Sequence, residues 1–110
     1  EAMLPRLIAA NAPDSLRTQI RQIIAANSSA GTAAALRSMA ARPDSSDLLA
    51  GIRVPTLIIV GAEDQLTPPD QSRLMHAGIP NSQLVEIPGA GHLSNLENPV
   101  LFNQAIETFL

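Results

Sequence analysis

Apolar residues in the first half of the chain recur with the spacing of an α-helix. One stripe repeats at i, i+4, i+7 and i+8 and consists of Leu16, Ile20, Ile23 and Ile24. This spacing predicts an amphipathic helix. Asp14 precedes the stripe and suits the N-cap or the first turn, because a carboxylate is stabilised at the positive end of a helix dipole. Pro5 predicts that the helix in residues 3–10 is short or starts late.

A second run of small residues follows a predicted turn. Residues 27–31 have the sequence NSSAG, which is typical of a turn between helices. We predict a helix over residues 32–41, with Leu36 and Met39 facing inward and Pro43 ending it. The first fifty residues are therefore expected to be helical throughout, without a charged or aromatic cluster that indicates chemistry.

The second half of the chain has the pattern of strands alternating with helices. Residues 56–60, TLIIV, form an apolar run without polar alternation, which is typical of a strand buried on both faces of a parallel sheet. Residues 67–70, TPPD, favour a helix start capped by Thr67, and Gly78 suits the end of that helix. A second strand is predicted over residues 83–87.

A loop over residues 88–97 and a closing helix complete the pattern. Asn98 and Pro99 repeat the order of a cap followed by proline, and residues 100–110 predict an amphipathic helix. The order strand, loop, helix, strand, loop, helix defines a βαβα unit, whose strands are parallel and joined by a right-handed crossover. We therefore predict an α/β protein with a helical segment over residues 1–50 and a βαβα unit over residues 51–110.

Length, charge and composition narrow the classes of function. The 110 residues suit one domain, and an apolar content of 45% excludes a disordered chain. The net charge is −3 and the seven basic residues, all Arg, are scattered, so we expect no nucleic-acid partner. No apolar run is long enough to span a bilayer, and Glu1-Ala2-Met3 does not start a signal peptide, so no membrane partner is expected. The absence of Cys suits a reducing compartment and favours a cytoplasmic protein.

Two loops that follow the predicted strands carry residues suited to catalysis. In open parallel sheets, ligands bind beyond the carboxyl ends of the strands, where the loops converge. Asp64 follows the first strand, and His92 follows the second within the sequence Gly89-Ala-Gly-His92. If the strands are neighbours, the two side chains lie close together, and a carboxylate beside an imidazole fixes its tautomer and stabilises the imidazolium. Spacing alone leaves open the alternative that they are unrelated loop residues.

The remaining acidic and histidine residues have mainly structural interpretations. Glu63 is expected to be a solvated loop acid, with the alternative that it is the functional carboxylate instead of Asp64. His76 and Glu86 are expected on the surface of a helix and of a strand. Glu97 is expected to hydrogen-bond the backbone of the loop that carries the second histidine.

The sequence predicts neither a metal nor a cofactor. Two distant His residues and no Cys do not provide the ligand spacing of a metal site. Gly89-x-Gly91 lacks the strand, helix and later acidic residue that accompany a dinucleotide-binding loop.

Four motifs stand together in the second half of the chain. They are Val54-Pro-Thr-Leu-Ile-Ile-Val-Gly-Ala-Glu-Asp64-Gln-Leu-Thr-Pro-Pro69, Ile79-Pro80, Ile87-Pro-Gly-Ala-Gly-His92 and Glu97-Asn-Pro99. Together they resemble the C-terminal end of an α/β-hydrolase, and the resemblance covers residues 52–110, about half of the chain. It implies that Asp64 is the acid and His92 the base of a catalytic triad.

Residues 1–50 resemble the last helices of the lid that such enzymes insert over the active site. Ala35-Leu-Arg-Ser-Met-Ala-Ala-Arg-Pro-Asp44 is similar to the lids of enzymes related to 3-oxoadipate enol-lactonases. The family's nucleophile lies in G-x-S-x-G between a strand and a helix, and this sequence contains no such motif. Asn27-Ser28-Ser29-Ala30-Gly31 has Asn in place of the first Gly and no strand before it. We therefore expect a C-terminal fragment of a longer enzyme.

Two hypotheses for the function follow. The resemblance implies part of a serine hydrolase that acts on carboxylic esters or lactones, with the nucleophile outside this chain. Dehalogenases, C–C bond hydrolases and cofactor-free haloperoxidases are related alternatives. The second hypothesis is a catalytically silent packing or assembly module. Because two strands of the buried type do not form a stable sheet alone, we expect self-association or pairing with the missing N-terminal portion.

Overall fold

The computed structural model describes residues 3–110, and helices precede a small sheet. Residues 1 and 2 lie outside the described residues. The prediction that Glu1-Ala2-Met3 does not start a signal peptide therefore falls mostly outside them. The elements are α1 (Leu4–Leu7), α2 (Asp14–Ala25), α3 (Ser29–Ala41), a 3₁₀ turn (Ser46–Gly51), β1 (Thr56–Gly61), α4 (Pro69–Gly78), β2 (Ser82–Ile87), α5 (Ser94–Glu97) and α6 (Pro99–Phe109).

The two strands pair in parallel, as the order of the predicted elements requires. Thr56 is opposite Ser82 at one end of the ladder, and Gly61 is opposite Ile87 at the other. Helix α4 connects the strands and contacts both of them, and α6 also packs against both. Both strands therefore end at the same edge of the sheet, and the loops that follow them start side by side.

Burial of β1 is less complete than its apolar sequence predicts. Ile58 and Val60 are buried, whereas Leu57 and Ile59 are partly exposed. Successive side chains of a strand point to opposite faces of the sheet. The prediction of a strand buried on both faces is therefore wrong for one face, which the described helices cover less completely than the other.

A compact apolar cluster joins the start of the chain to the loop after β2. Its buried members are Leu4, Ile8, Leu16 and Ile20, and Leu7, Ala12 and Leu93 pack against it. Helix α2 thus buries only the first half of its apolar stripe. Ile23 and Ile24 are exposed, because they lie beyond the end of this cluster.

Helix α3 differs from the prediction in its start and in its burial. It begins at Ser29, and the Oγ of Ser28 caps it by accepting a hydrogen bond from the N–H of Gly31 at 3.0 Å. Gly31 therefore belongs to the first turn of the helix and not to an interhelical turn. Leu36 and Met39 are 44% and 52% exposed, so the prediction that they face inward is wrong: no residue of α3 is buried.

The starts of the later helices confirm one predicted cap and contradict another. The side chain of Asn98 accepts a hydrogen bond from the N–H of Leu101 at 3.1 Å, as expected for the residue before α6. Thr67 does not cap α4, whose preceding residue is Pro68 and which has no side-chain cap. The predicted loop over residues 88–97 also contains one helical turn, α5.

Removal of apolar volume is expected to cost most where α2 meets the cluster. Ile20 is 2% exposed and Ile23, on the same helix, is 52% exposed. Ile20→Ala should lower the free energy of unfolding by about 2–5 kcal/mol, because it leaves a cavity. Ile23→Ala is the matched control and should change it by less than about 0.5 kcal/mol. Urea denaturation of both variants measures the difference, and equal losses would contradict the assignment of the core.

Candidate active site

The loops after β1 and β2 are fastened to each other by backbone hydrogen bonds. The N–H of Ala62 donates to the carbonyl of Ile87 at 2.9 Å, and the N–H of Glu63 donates to the carbonyl of Ala90 at 2.8 Å. Gly61 lies so close to the second loop that a Cβ there would be 2.1 Å from the carbonyl oxygen of Gly91. Only glycine allows this approach, and the approach brings the two loops together.

Asp64 and His92 form a hydrogen-bonded pair where these loops meet. The Oδ2 of Asp64 lies 2.9 Å from the Nδ1 of His92. The Asp64 side chain is 4% exposed, whereas the His92 side chain is 33% exposed. The predicted approach of the two side chains is therefore present, with the carboxylate inside and the imidazole reaching toward the surface.

Every lone-pair position of the Asp64 carboxylate has a donor. Its Oδ1 accepts hydrogen bonds from the N–H groups of Leu66 and Thr67, both at 2.9 Å. Its Oδ2 accepts from the hydroxyl of Thr67 at 3.0 Å and from His92. A buried carboxylate is retained as an anion when donors replace the water that it loses, and four donors do so here.

The hydrogen bonds decide the charge of Asp64. Burial raises its pKa, but the hydrogen bonds from the Thr67 backbone, from His92 and from the Thr67 hydroxyl, together with the charge of His92, outweigh burial, so the pKa lies below its ordinary value. At neutral pH this carboxylate is ionised and can only accept. The Nδ1 of His92, which faces this acceptor, therefore carries a proton, and in the neutral imidazole the Nε2 has the free lone pair of a general base.

Thr67 is the residue of this site that the sequence did not reveal. Besides donating to Asp64, its Oγ1 lies 3.2 Å from the Nδ1 of His92 and can accept a share of that proton. The sequence placed this threonine at a helix cap. The signal that could have located it is its position three residues after Asp64, where a side chain can fold back onto the carboxylate across a turn.

Other predicted candidates lie apart from the pair. Glu63 is exposed and takes no part in it. His76 is exposed and contacts the hydroxyl of Ser82 at 2.8 Å, and Glu86 binds Arg73 through both carboxylate oxygens at 2.8 and 3.0 Å. His76 and Glu86 thus have structural contacts, as expected of surface positions.

Glu97 supports the loop that carries His92, as the sequence suggested. This loop, residues 88–93 between β2 and α5, is called the histidine loop below. One of its carboxylate oxygens accepts from the N–H of Gly91 at 2.9 Å, and the other accepts from the N–H of Ala9 at 2.7 Å. The first bond was anticipated from the sequence. The second was not, because it joins residues 88 positions apart in the chain.

The described part of the chain provides no further site of comparable chemistry. Two open grooves of about 570 and about 450 Å³ are lined by neither Asp64 nor His92. Among residues 3–110 no group of three or more His, Asp or Glu side chains could hold a metal ion. None of the helices in this part is both long and apolar enough to cross a membrane.

Comparison with known proteins identifies the family. The family model for the alpha/beta hydrolase fold matches residues 6–99. The chain belongs to the α/β-hydrolase family. An esterase from Thermogutta terrifontis superposes with a TM-score of 0.92 over 98% of this α/β-hydrolase chain and 41% of its own, at 41% sequence identity.

Curated relatives cover different parts of this α/β-hydrolase. A 3-oxoadipate enol-lactonase of Acinetobacter baylyi is 36% identical over 97 residues, which are 88% of this chain and 36% of the relative. RutD of Pseudomonas syringae, whose name assigns it provisionally to carbamate hydrolysis, is 40% identical over 67 residues, 61% of this chain and 26% of the relative. The chain thus spans about a quarter to two fifths of the length of these proteins.

Removal of the Thr67 hydroxyl is expected to destabilise the ionised form of Asp64 relative to the protonated form. Thr67→Val should raise the pKa of Asp64, because one of its four donors is lost. Thr67→Ser keeps the hydroxyl and should leave that pKa close to its value in the unaltered chain. NMR titration of the Asp64 carboxyl carbon measures the shift, and an unchanged pKa in Thr67→Val would show that the hydroxyl is not a significant donor.

The same variant should alter the response of stability to acid. A carboxyl whose folded pKa is depressed stabilises the fold above its unfolded pKa, about 3.9 for Asp, and this contribution is lost as the pH falls through the folded value. Between neutral pH and about pH 3, the free energy of unfolding should therefore fall less in Thr67→Val than in Thr67→Ser.

Proposed function

We propose that this chain provides the acid and the base of a serine hydrolase that acts on carboxylic esters or lactones. Asp64 is the acid and His92 the base. The nucleophilic serine belongs to a part of the polypeptide outside this chain, because no G-x-S-x-G occurs in the 110 residues. In this proposal residues 1–50 form a lid-like helical segment, and residues 51–110 form the C-terminal part of the core. The lack of Cys supports a cytoplasmic location.

The Asp64–His92 hydrogen bond carries the proposal. It joins a buried anion to a partly exposed imidazole at the carboxyl edge of a parallel sheet, where the ligands of such folds bind. Among the contacts of residues 3–110, none engages the Nε2 of His92. That nitrogen is therefore available to a hydroxyl group. The esterase and lactonase among the relatives support esters and lactones as the class of substrate.

The proposed chemistry is acyl transfer in two steps. The Nε2 of His92 takes the proton of the serine hydroxyl as its oxygen attacks the ester carbonyl, and Asp64 stabilises the imidazolium that forms. The imidazolium then protonates the departing alkoxide, which leaves an acyl-enzyme. In the second step His92 takes a proton from water, the resulting hydroxide attacks the acyl-enzyme, and the serine recovers its proton from the imidazolium.

Activity of the full-length gene product on a nitrophenyl ester tests these roles. His92→Ala and Asp64→Asn should each lower kcat by about 10²–10⁴-fold, because general-base catalysis is lost. The chain offers matched controls: His76→Ala and Glu63→Gln alter the other histidine and the neighbouring acid, and should change kcat less than about twofold. If Glu63→Gln lowers kcat as much as Asp64→Asn does, the assignment of Asp64 as the acid is contradicted.

The 110-residue chain alone extends this test. It should show no turnover above that of its His92→Ala variant, because an imidazole without an activated nucleophile transfers little acyl group. Turnover that depends on Ser28 or Ser29 would overturn the proposal that the nucleophile lies elsewhere. Ser28 already caps α3, which supports its structural role. A G-x-S-x-G upstream in the same reading frame would support the proposal, and a nearby stop codon would favour the silent assembly module.

We also propose that this chain associates with another polypeptide, either a second copy or the remaining part of the enzyme. Within residues 3–110, each strand has a neighbour on one side only, and a bare strand edge favours pairing with another chain. Large apolar side chains beside the sheet elements are also exposed, among them Val54 at 66% and Leu74 at 71%.

Sedimentation at micromolar concentration measures this association. The chain is expected to sediment above monomer mass or to form a stoichiometric complex with the remaining portion, with a largely apolar contact of more than about 1,000 Å². A single species of monomer mass with a cooperative thermal transition would show that the 110 residues are self-sufficient.

A further inference from the structure

The carboxylate of Glu97 connects two stretches of backbone that are remote in sequence. Its Oε2 accepts from the N–H of Gly91, the residue before His92, and its Oε1 accepts from the N–H of Ala9. Both amides belong to buried residues. A buried N–H without an acceptor costs about 1–3 kcal/mol, so this one side chain satisfies two costly donors.

Two further contacts hold the same stretches together on either side of His92. After the histidine, the N–H of Leu93 donates to the carbonyl of Leu7 at 3.1 Å. Before it, a Cβ on Gly91 would be 2.9 Å from both the nitrogen of Ala9 and the carbonyl carbon of Ile8. The histidine loop therefore lies directly on the backbone of residues 7–9, with no room for an intervening side chain.

Residues 7–9 are themselves held by the apolar cluster. Ile8 is 1% exposed and packs with Leu16 and Ile20 of α2, while Leu93 packs against the same cluster from the histidine loop. Closely packed interiors deform little, so the position of Ala9 next to this core is fixed. The hydrogen bond from Ala9 to Glu97 therefore ties the histidine loop to a rigid part of the molecule.

We propose that Glu97 is a positioning residue for His92. It accepts hydrogen bonds from the N–H groups of Gly91 and Ala9, and so holds the histidine loop against residues 7–9. These two hydrogen bonds are called the clasp below. Among residues 3–110, the hydrogen bonds of the Glu97 carboxylate come from these two backbone N–H groups and not from the imidazole, so Glu97 acts on His92 through the loop backbone. Its effect on turnover rests on the proposed function, whereas its effect on the position of His92 does not.

A carboxylate suits this position better than the amide of glutamine. Its two oxygens accept from two separate donors. In Glu97→Gln one oxygen is replaced by an NH₂ group, which faces a backbone N–H as a second donor and breaks one of the two bonds. The substitution keeps size and shape, so it tests the clasp with little change in packing.

The experiment compares Glu97→Gln with Glu107→Gln in the full-length gene product. Glu107 is an exposed residue of α6 and provides the same chemical change outside the clasp. Glu97→Gln should speed hydrogen exchange of the Ala9 or Gly91 amide by about tenfold or more. It should broaden or shift the Nδ1–H resonance of His92 and lower kcat by about tenfold, with KM changed less than threefold. Glu107→Gln should change none of these quantities.

The outcomes separate the clasp from the proposed function. Faster amide exchange with an unchanged His92 resonance would overturn the proposal and leave Glu97 a purely structural residue. If His92→Ala does not affect turnover, the proposed function fails, but the resonance and exchange measurements still decide whether Glu97 positions the imidazole. Glu97→Asp, which keeps the charge but is one methylene shorter, should give an intermediate change in the same readouts, and it replaces Glu97→Gln if that variant does not fold.

Discussion

The parallel pairing of β1 and β2 is the constraint on which the rest of the site depends. The register brings Gly61 opposite Ile87, so two loops that are far apart in the sequence start within hydrogen-bonding distance of each other. Parallel strands require a long crossover, and α4 provides it here. Without this register the acid and the histidine would belong to separate surfaces.

Within that frame, the site balances burial against hydrogen bonding. Removing a carboxylate from water favours its neutral form, and the donors around Asp64 reverse that preference. The imidazole is only partly buried, so it can meet a substrate while one of its nitrogens is held from behind. A buried anion and an accessible base are the two environments that an acid–histidine pair needs.

Local sequence patterns predicted the second half of the chain better than the first. Residues 56–60 and 83–87 have strong strand patterns, and the positions of Asp64 and His92 after them, together with the resemblance to α/β-hydrolases, predicted the pair. The failures have a common cause. The inward side of α3 and the burial of Leu57 depend on which elements cover them, and an apolar sequence does not contain that information. Thr67 suits a helix cap by sequence, but its hydroxyl donates to the buried carboxylate of Asp64 instead. The bond from Ala9 to Glu97 is a tertiary contact without any local pattern.

The clasp at Glu97 also has a consequence for the order in which the molecule assembles and opens. It closes a loop of 88 residues, and the chain entropy lost in such a closure is of the order of 4 kcal/mol. The strand–helix–strand unit closes far shorter loops, so it can form before residues 7–9 arrive. In the reverse direction, detachment of residues 7–9 would break the clasp while the bonds from Glu63 to Ala90 and from His92 to Asp64 still join the two loops. Residues 7–9 therefore contribute to the local stability of a loop that lies about eighty positions later in the sequence.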